Sequence, residues 1–196
     1  MTEPARRLPT FNDLYAEIER LPEGMTGEIL EPGVLRTMGR PGRGHRRSAQ
    51  QCFRSLARAD EASGGSGWWI EQEAEILLAG ERLAVPDLSG WRVVRVPELP
   101  DNNPIGIVPD WCCEVLSPST AREDRGLKLP LYARSGVGWI WLVDPTLRLI
   151  EVFESLGGRP LLVATAKDDD EGPLAPFGIA IALARWWLTQ GGPANP

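Results

Sequence analysis

The chain has 196 residues, 42% of them hydrophobic and 24% charged, with a formal net charge of −6. A chain of this size can bury roughly 70% of its unfolded surface, which excludes a wholly disordered protein and removes the need for disulfide staples. No apolar run reaches the roughly 20 residues of a membrane span, and no apolar stretch follows Arg6 and Arg7, so neither a membrane anchor nor a secretory leader is expected.

Thr10-Phe11-Asn12-Asp13 fits a capping box, and Leu14, Tyr15, Ile18 and Leu21 behind it predict a short helix. Gly24 to Met38 reads as a hairpin turning at Glu31-Pro32-Gly33. From Gly44 to about Ala59 the spacing of Ala49, Cys52, Phe53 and Leu56 gives one helical stripe. Strands are expected over Trp68 to Leu78 and Leu83 to Val94, the second interrupted by Pro86. A proline-rich loop leads to Trp111–Leu116, an apolar strand broken only by Glu114, of the kind buried on both faces. Ser117-Pro118-Ser119-Thr120 supplies turn and cap chemistry for a helix that runs to Arg134 and ends at Gly136, with Pro130 demanding a kink or a late start. Strands follow at Trp139–Val143, Leu149–Phe153 and Leu161–Ala166, and the apolar tail Phe177–Leu188 ends in a short helix. Strands mixed with a few helices predict an α/β or α+β fold, one domain over 1–196 with a frayed tail at 189–196.

Three compositional features bear on function. The three cysteines, Cys52, Cys112 and Cys113, lack metal-ligand spacing and read as buried thiols in a reducing cytoplasm. Between Gly33 and Ala59 there is no acid but there are seven arginines, among them Arg40, Arg43, Arg46 and Arg47, with His45, the only histidine, in their midst. A basic segment in an acidic chain is a candidate polyanion contact, or simply a solvated helix face. Lysine is used only at Lys128 and Lys167, which singles out Lys128, because lysine is a compact charge with an adjustable pKa. Core or interface packing is the expectation for the eight tryptophans, and exposure of Trp186 and Trp187 would favour a homodimer.

Two carboxylates stand out by context. Asp87 follows Pro86 where a strand breaks, and Glu114 lies within a buried one. A carboxylate there must be paired, with a buried arginine for example, or bound to a cation. Oxygen ligands of this kind suit Mg²⁺ or Mn²⁺. Asp124, Lys128 and Tyr132 recur every four residues and share one helix face. Folded back over the Glu114 strand, Lys128 would hold an attacking water or stabilise charge on a phosphate; otherwise Asp124 and Lys128 form a surface pair.

Val85-Pro86-Asp87-Leu88, Glu114-Val115-Leu116-Ser117-Pro118-Ser119-Thr120, the Asp124, Lys128, Tyr132 series and Trp141-Leu142-Val143-Asp144-Pro145 together resemble the Uma-type restriction endonuclease family of the PD-(D/E)XK superfamily, over about Thr10 to Leu188. The resemblance implies a restriction-endonuclease-like fold, a central mixed sheet flanked by helices. It implies a metal site of Asp87, Glu114 and the Val115 carbonyl, catalysis by Asp87, Glu114 and Lys128, and DNA as the partner. Leu116 stands where the superfamily has lysine, and Lys128 matches the substitute used in the Uma-type group. His45 and Glu73 match a family histidine and acid. Gly24 to Glu28 matches an early acidic-glycine motif only in part, which leaves Glu28 without a role. The expectation is a metal-dependent nuclease acting on DNA. The competing expectation is a protein that keeps the fold and binds nucleic acid, or a second copy of itself, without cleavage. Sequence recognition would fall to loops such as Arg95 to Val108.

Overall fold

The computed structural model describes residues 7–65 and 67–188; the tail expected to fray, 189–196, lies outside the described residues. Helix α1, Phe11–Ile18, starts as its sequence dictates: Asp13 N–H donates to Thr10 Oγ1 at 3.3 Å, and Thr10 N–H donates to Asp13 at 2.9 Å. Its inner face, Leu14 and Ile18, packs on Ile29 and Leu83. Strands β1 (Thr26–Glu31) and β2 (Val34–Met38) form the expected hairpin. Gly33 takes φ +76° in the turn, a conformation strained for any residue with a Cβ. Helix α2, Arg43–Ser55, follows, with Cys52 and then Leu56 pointing into the core.

The expected strand over Trp68–Leu78 is two strands in two different sheets. β3 (Trp68–Gln72) and β4 (Ile76–Leu78) are separated at Glu73, which adopts φ +51°. Such a conformation ends a ladder, and nothing in the residue type announces it, since glycine is its usual occupant. β5 (Arg82–Ala84) and β6 (Leu88–Arg92) are likewise split between sheets, here at Val85-Pro86-Asp87. A four-stranded antiparallel sheet has the order β2-β1-β5-β4. The main sheet adds β7 (Trp111–Val115), β8 (Trp139–Asp144), β9 (Leu149–Leu156) and β10 (Arg159–Lys167), in the order β10-β9-β8-β7-β6-β3. β7 and β8 run parallel and the other pairs antiparallel. The sheet is therefore mixed, and β7 lies inside it with every residue buried.

The β7–β8 connection is a long crossover, as a parallel pair requires, and it is helical, the usual form. It is not one helix. An α turn, α3 (Ala121–Glu123), passes into a π-helical stretch, Asp124–Lys128, and then into α4, Leu129–Ser135, which ends at Gly136 with φ +96°. Pro130 falls in the first turn of α4. A proline ring would crowd the carbonyl four residues before it, and the wide turn ahead of α4 makes room.

Alternation along β7 divides the core. Trp111, Cys113 and Val115 face α2 and the tail, in a cluster with Trp141, Trp186 and Trp187. Cys112 and Leu116 face α4 and the small sheet. The tail holds a two-stranded ribbon, β11 (Glu171–Pro173) with β12 (Ala180–Ala182), and a 3-10 turn, Leu183–Arg185, where a short helix was expected. Trp186 and Trp187 are buried in the chain's own core, so they do not supply the dimer surface that their exposure would have signalled.

Candidate active site

Pro86 has no N–H and cannot continue a ladder, so the chain crosses from the small sheet to the main one over Val85-Pro86-Asp87. The crossing delivers Asp87 to the end of β7. Its Oδ2 accepts the Val115 N–H at 2.7 Å, beyond the last β6–β7 pair, Leu88 with Cys113. Its Oδ1 lies 3.1 Å from His45 Nε2, in the first turn of α2. Its main-chain carbonyl accepts the Glu73 N–H at 3.2 Å. Three segments far apart in sequence thus meet at Asp87.

Glu114 points to the other side of β7, toward the π stretch and α4. Its Oε1 accepts from Tyr132 Oη at 2.5 Å and from Lys128 Nζ at 3.2 Å. Lys128 Nζ also lies 2.9 Å from Glu28 Oε1 and 3.8 Å from Asp124 Oδ1. Glu28 Oε1 in turn accepts the Val85 N–H at 2.7 Å. Asp124, Lys128 and Tyr132 share one face as their spacing predicts, but all three are buried, not a surface pair. Glu114 is paired with a lysine and a tyrosine, not with a buried arginine.

The charges in this cluster do not balance. Three carboxylates, Glu28, Glu114 and Asp124, surround one ammonium, with Asp87 close behind. Burial raises the Glu114 carboxyl well above the usual carboxylate range, and Asp124, Asp87 and Glu28 raise it further against the pull of Lys128. Burial likewise raises Glu28 and Asp124. For Lys128, burial acts downward, but Glu114, Glu28 and Asp124 together outweigh it and hold the ammonium above the ordinary lysine value. Glu28 Oε2 is buried without a hydrogen-bond partner. Surplus negative charge on hard oxygen donors is the chemistry that a divalent cation relieves. Among the described residues no three His, Cys, Asp or Glu side chains form a ready-made cage. Mg²⁺ tolerates this, since it takes one or two carboxylates and completes its shell with water and phosphate. The donors present therefore fit such an ion.

Asp87, His45 and Glu73 line a cleft of about 820 Å³ on the side of Ser117, Thr120 and Arg40. They also line a neighbouring cavity of about 720 Å³ on the side of Arg43, Arg46 and Arg47. Arg40, Arg43 and Arg46 are exposed. Arg46 donates to the Pro41 carbonyl at 2.8 Å, and the half-buried Arg47 donates to the Arg185 carbonyl at 3.0 Å. Gly42 caps α2 without a side chain, which leaves the first amides of the helix free beside the arginines. Neither Glu114 nor Lys128 lines the cleft; both are 3% exposed and sit behind it. The loop expected to read sequence is unsuited to that task. Arg95 is tied to Asp110 at 3.0 Å, and residues 98–103 border a recess carrying Glu71, Glu73, Glu75, Glu98 and Asp101, the wrong sign for a phosphate backbone.

Glu28 is the cluster member that the sequence reading left without a role. The signal was available: a glutamate beside Ile29 and Leu30 in a buried strand is as costly as Glu114 and needs the same explanation.

A mixed sheet flanked by helices, with an acidic corner where a Pro-Asp turn meets a Glu-bearing strand, defines a nuclease-like α+β fold. A family model described as "Putative restriction endonuclease" (Uma2) matches residues 14–184, and the chain belongs to that family. Among solved structures it is similar to a protein from Anabaena variabilis ATCC 29413 described as a "putative nuclease belonging to DUF820". The TM-score is 0.68 at 20% identity, over 91% of this chain and 97% of that one, a likeness of fold. No curated protein matches. No helix among the described residues is long and apolar enough to cross a membrane.

Proposed function

We propose that this protein is a metal-dependent endonuclease that hydrolyses phosphodiester bonds in DNA. The observation that carries the reading is the 2.7 Å hydrogen bond from Val115 N–H to Asp87, which clamps the Pro-Asp turn against the residue next to Glu114. Asp87, Glu114 and the Val115 carbonyl would hold Mg²⁺ or Mn²⁺. When bound, such an ion polarises a phosphoryl oxygen and lowers the pKa of a water to make the nucleophile. His45 steadies Asp87 Oδ1, and Glu73 fixes the turn through its backbone while its side chain faces the cleft. Lys128 and Tyr132 hold the Glu114 carboxylate in one orientation, and from behind the cleft the Lys128 ammonium would act on charge developing at the phosphate as a nearby positive charge, not by contact. Asp124 keeps the ammonium in place. Arg40, Arg43, Arg46 and Arg47, with the free amides at the start of α2, receive the DNA backbone.

The reading includes a cytoplasmic location, supported by three cysteines that are all free and buried. It includes a homodimer, because one site of this kind cuts one strand and two are needed for a double-strand break. A second reading, binding without cleavage, is favoured by the mutual engagement of Glu114 and Lys128 away from the cleft. Cleavage assays on single-stranded, linear and supercoiled DNA with Mg²⁺ and Mn²⁺ separate the two. The nuclease reading expects nicking or cutting that needs the metal and is abolished in Asp87→Asn and Glu114→Gln. Unchanged activity in either variant would remove the site assignment, and salt-sensitive binding with no cleavage would establish the second reading.

A further inference from the structure

Glu28 is fully buried, yet it belongs to the small sheet and is far in sequence from Asp87, Glu114 and Lys128. One of its oxygens does two things. It accepts the Val85 N–H at 2.7 Å, two residues before Asp87, and it meets Lys128 Nζ at 2.9 Å, closer than Glu114 does at 3.2 Å. The first interaction fixes where the Pro-Asp crossing leaves the small sheet. The second draws the ammonium away from Glu114. Lys128 left to itself would give Glu114 a full counter-ion, and a cation would then have to displace it.

We infer that Glu28 is a positioning residue of the metal site: it anchors the Asp87 turn through the Val85 amide and shares Lys128, so that Glu114 keeps charge for a divalent ion. The inference rests on the metal-site reading above. It does not make Glu28 a ligand; Glu28 acts through Val85 and Lys128. Partners that orient ligands in this way typically change metal affinity by about 10–100-fold when they are replaced.

Two variants separate the anchor from the charge. Glu28→Gln keeps an oxygen for the Val85 N–H and removes the charge; Glu28→Ala removes both. Mn²⁺ binding is measured by calorimetry, and the Val115 amide, which donates to Asp87, serves as an NMR reporter of the turn. Glu28→Gln is expected to keep the wild-type Val115 amide shift and to bind Mn²⁺ about 10-fold more weakly. Glu28→Ala is expected to shift the Val115 amide and speed hydrogen exchange at Val85 as well. A merely structural role would not split the two readouts in this way. Asp87→Asn is the control. If it leaves Mn²⁺ binding unchanged, or if the wild-type protein binds no Mn²⁺, the metal-site reading fails and the inference falls with it. If Asp87→Asn abolishes binding while Glu28→Gln matches the wild type, the inference about Glu28 alone is overturned. An unmoved Val115 amide in Glu28→Ala overturns the anchoring half.

Discussion

Lys128→Met replaces the only ammonium in the buried cluster with an apolar side chain of similar length. Three carboxylates lie 2.9, 3.2 and 3.8 Å from Nζ, and the Lys128 side chain and its three partners are each 4% exposed or less, so water cannot take the place of the missing cation. Breaking a buried pair by removing one partner costs about 3–5 kcal/mol, because the remaining charge is left uncompensated. For a domain of this size about 1 kcal/mol moves Tm by 2–4 °C, so the variant should melt roughly 6–20 °C lower at pH 8. The carboxylates can escape the penalty by taking up protons, so the deficit should shrink at pH 5. Adding Glu114→Gln should recover part of it, with a coupling of about 0.5–3 kcal/mol in the double-mutant cycle. Thermal unfolding by circular dichroism at both pH values measures each quantity. A Lys128→Met protein that melts within about 2 °C of wild type at pH 8 would refute the reasoning, since it would mean that the carboxylates are already neutral or hydrated.

The same cluster makes stability depend on pH. Burial raises the Glu114 and Glu28 carboxyls above the ordinary glutamate value of 4.5, so as pH rises past that value they give up their protons later than the unfolded chain does and stability falls. Lys128, also raised in the folded state, adds to the decline only above its ordinary 10.5, where its contribution begins to fade. Without metal, Tm should therefore decline from pH 5 to pH 8, and Glu114→Gln should flatten the decline; a rise over that range contradicts the assignment. Asp87→Asn keeps an acceptor for the Val115 N–H and should fold, while metal-dependent cleavage is abolished, read in a nicking assay. Arg43→Ala with Arg46→Ala should weaken DNA binding on every sequence alike and lower the salt slope by about 0.9 for each phosphate no longer neutralised, measured by fluorescence anisotropy across a salt series. Gly27→Ala places a Cβ 2.5 Å from Ile18 Cγ1, an overpacking that should cost about 1–3 kcal/mol in denaturant unfolding.

Much of the architecture was legible because local chemistry and the final fold agree. The Thr10–Asp13 box starts α1, Pro32-Gly33 turns the first hairpin, and the apolar runs at Trp111 and Trp139 are the inner strands β7 and β8. The gathering of Asp124, Lys128 and Tyr132 beneath Glu114 followed from a spacing of four. What was not legible was non-local. Glu73 takes a left-handed conformation that only its tertiary partner, the Asp87 carbonyl, explains, so one expected strand became two. Glu28 joins the cluster through a sheet whose pairing with β5 no periodicity reveals. Trp186 and Trp187 return to cover the main sheet, a placement that their apolar character alone leaves open. The division of the site into a half that lines the cleft, Asp87 with His45 and Glu73, and a buried half around Glu114 depends on the alternation of β7. That alternation was visible in the sequence, but which face looks onto solvent was not.

The central claim is that Asp87 and Glu114 share one divalent ion. A crystal structure of the Mn²⁺-soaked protein, with the ion located by anomalous scattering, tests it directly. The account predicts one peak coordinated by both carboxylates and the Val115 carbonyl, with Lys128 withdrawn toward Glu28. A peak beside Asp87, His45 and Glu73 alone, with Glu114 still bound to Lys128 and Tyr132, or no peak at all, would contradict it.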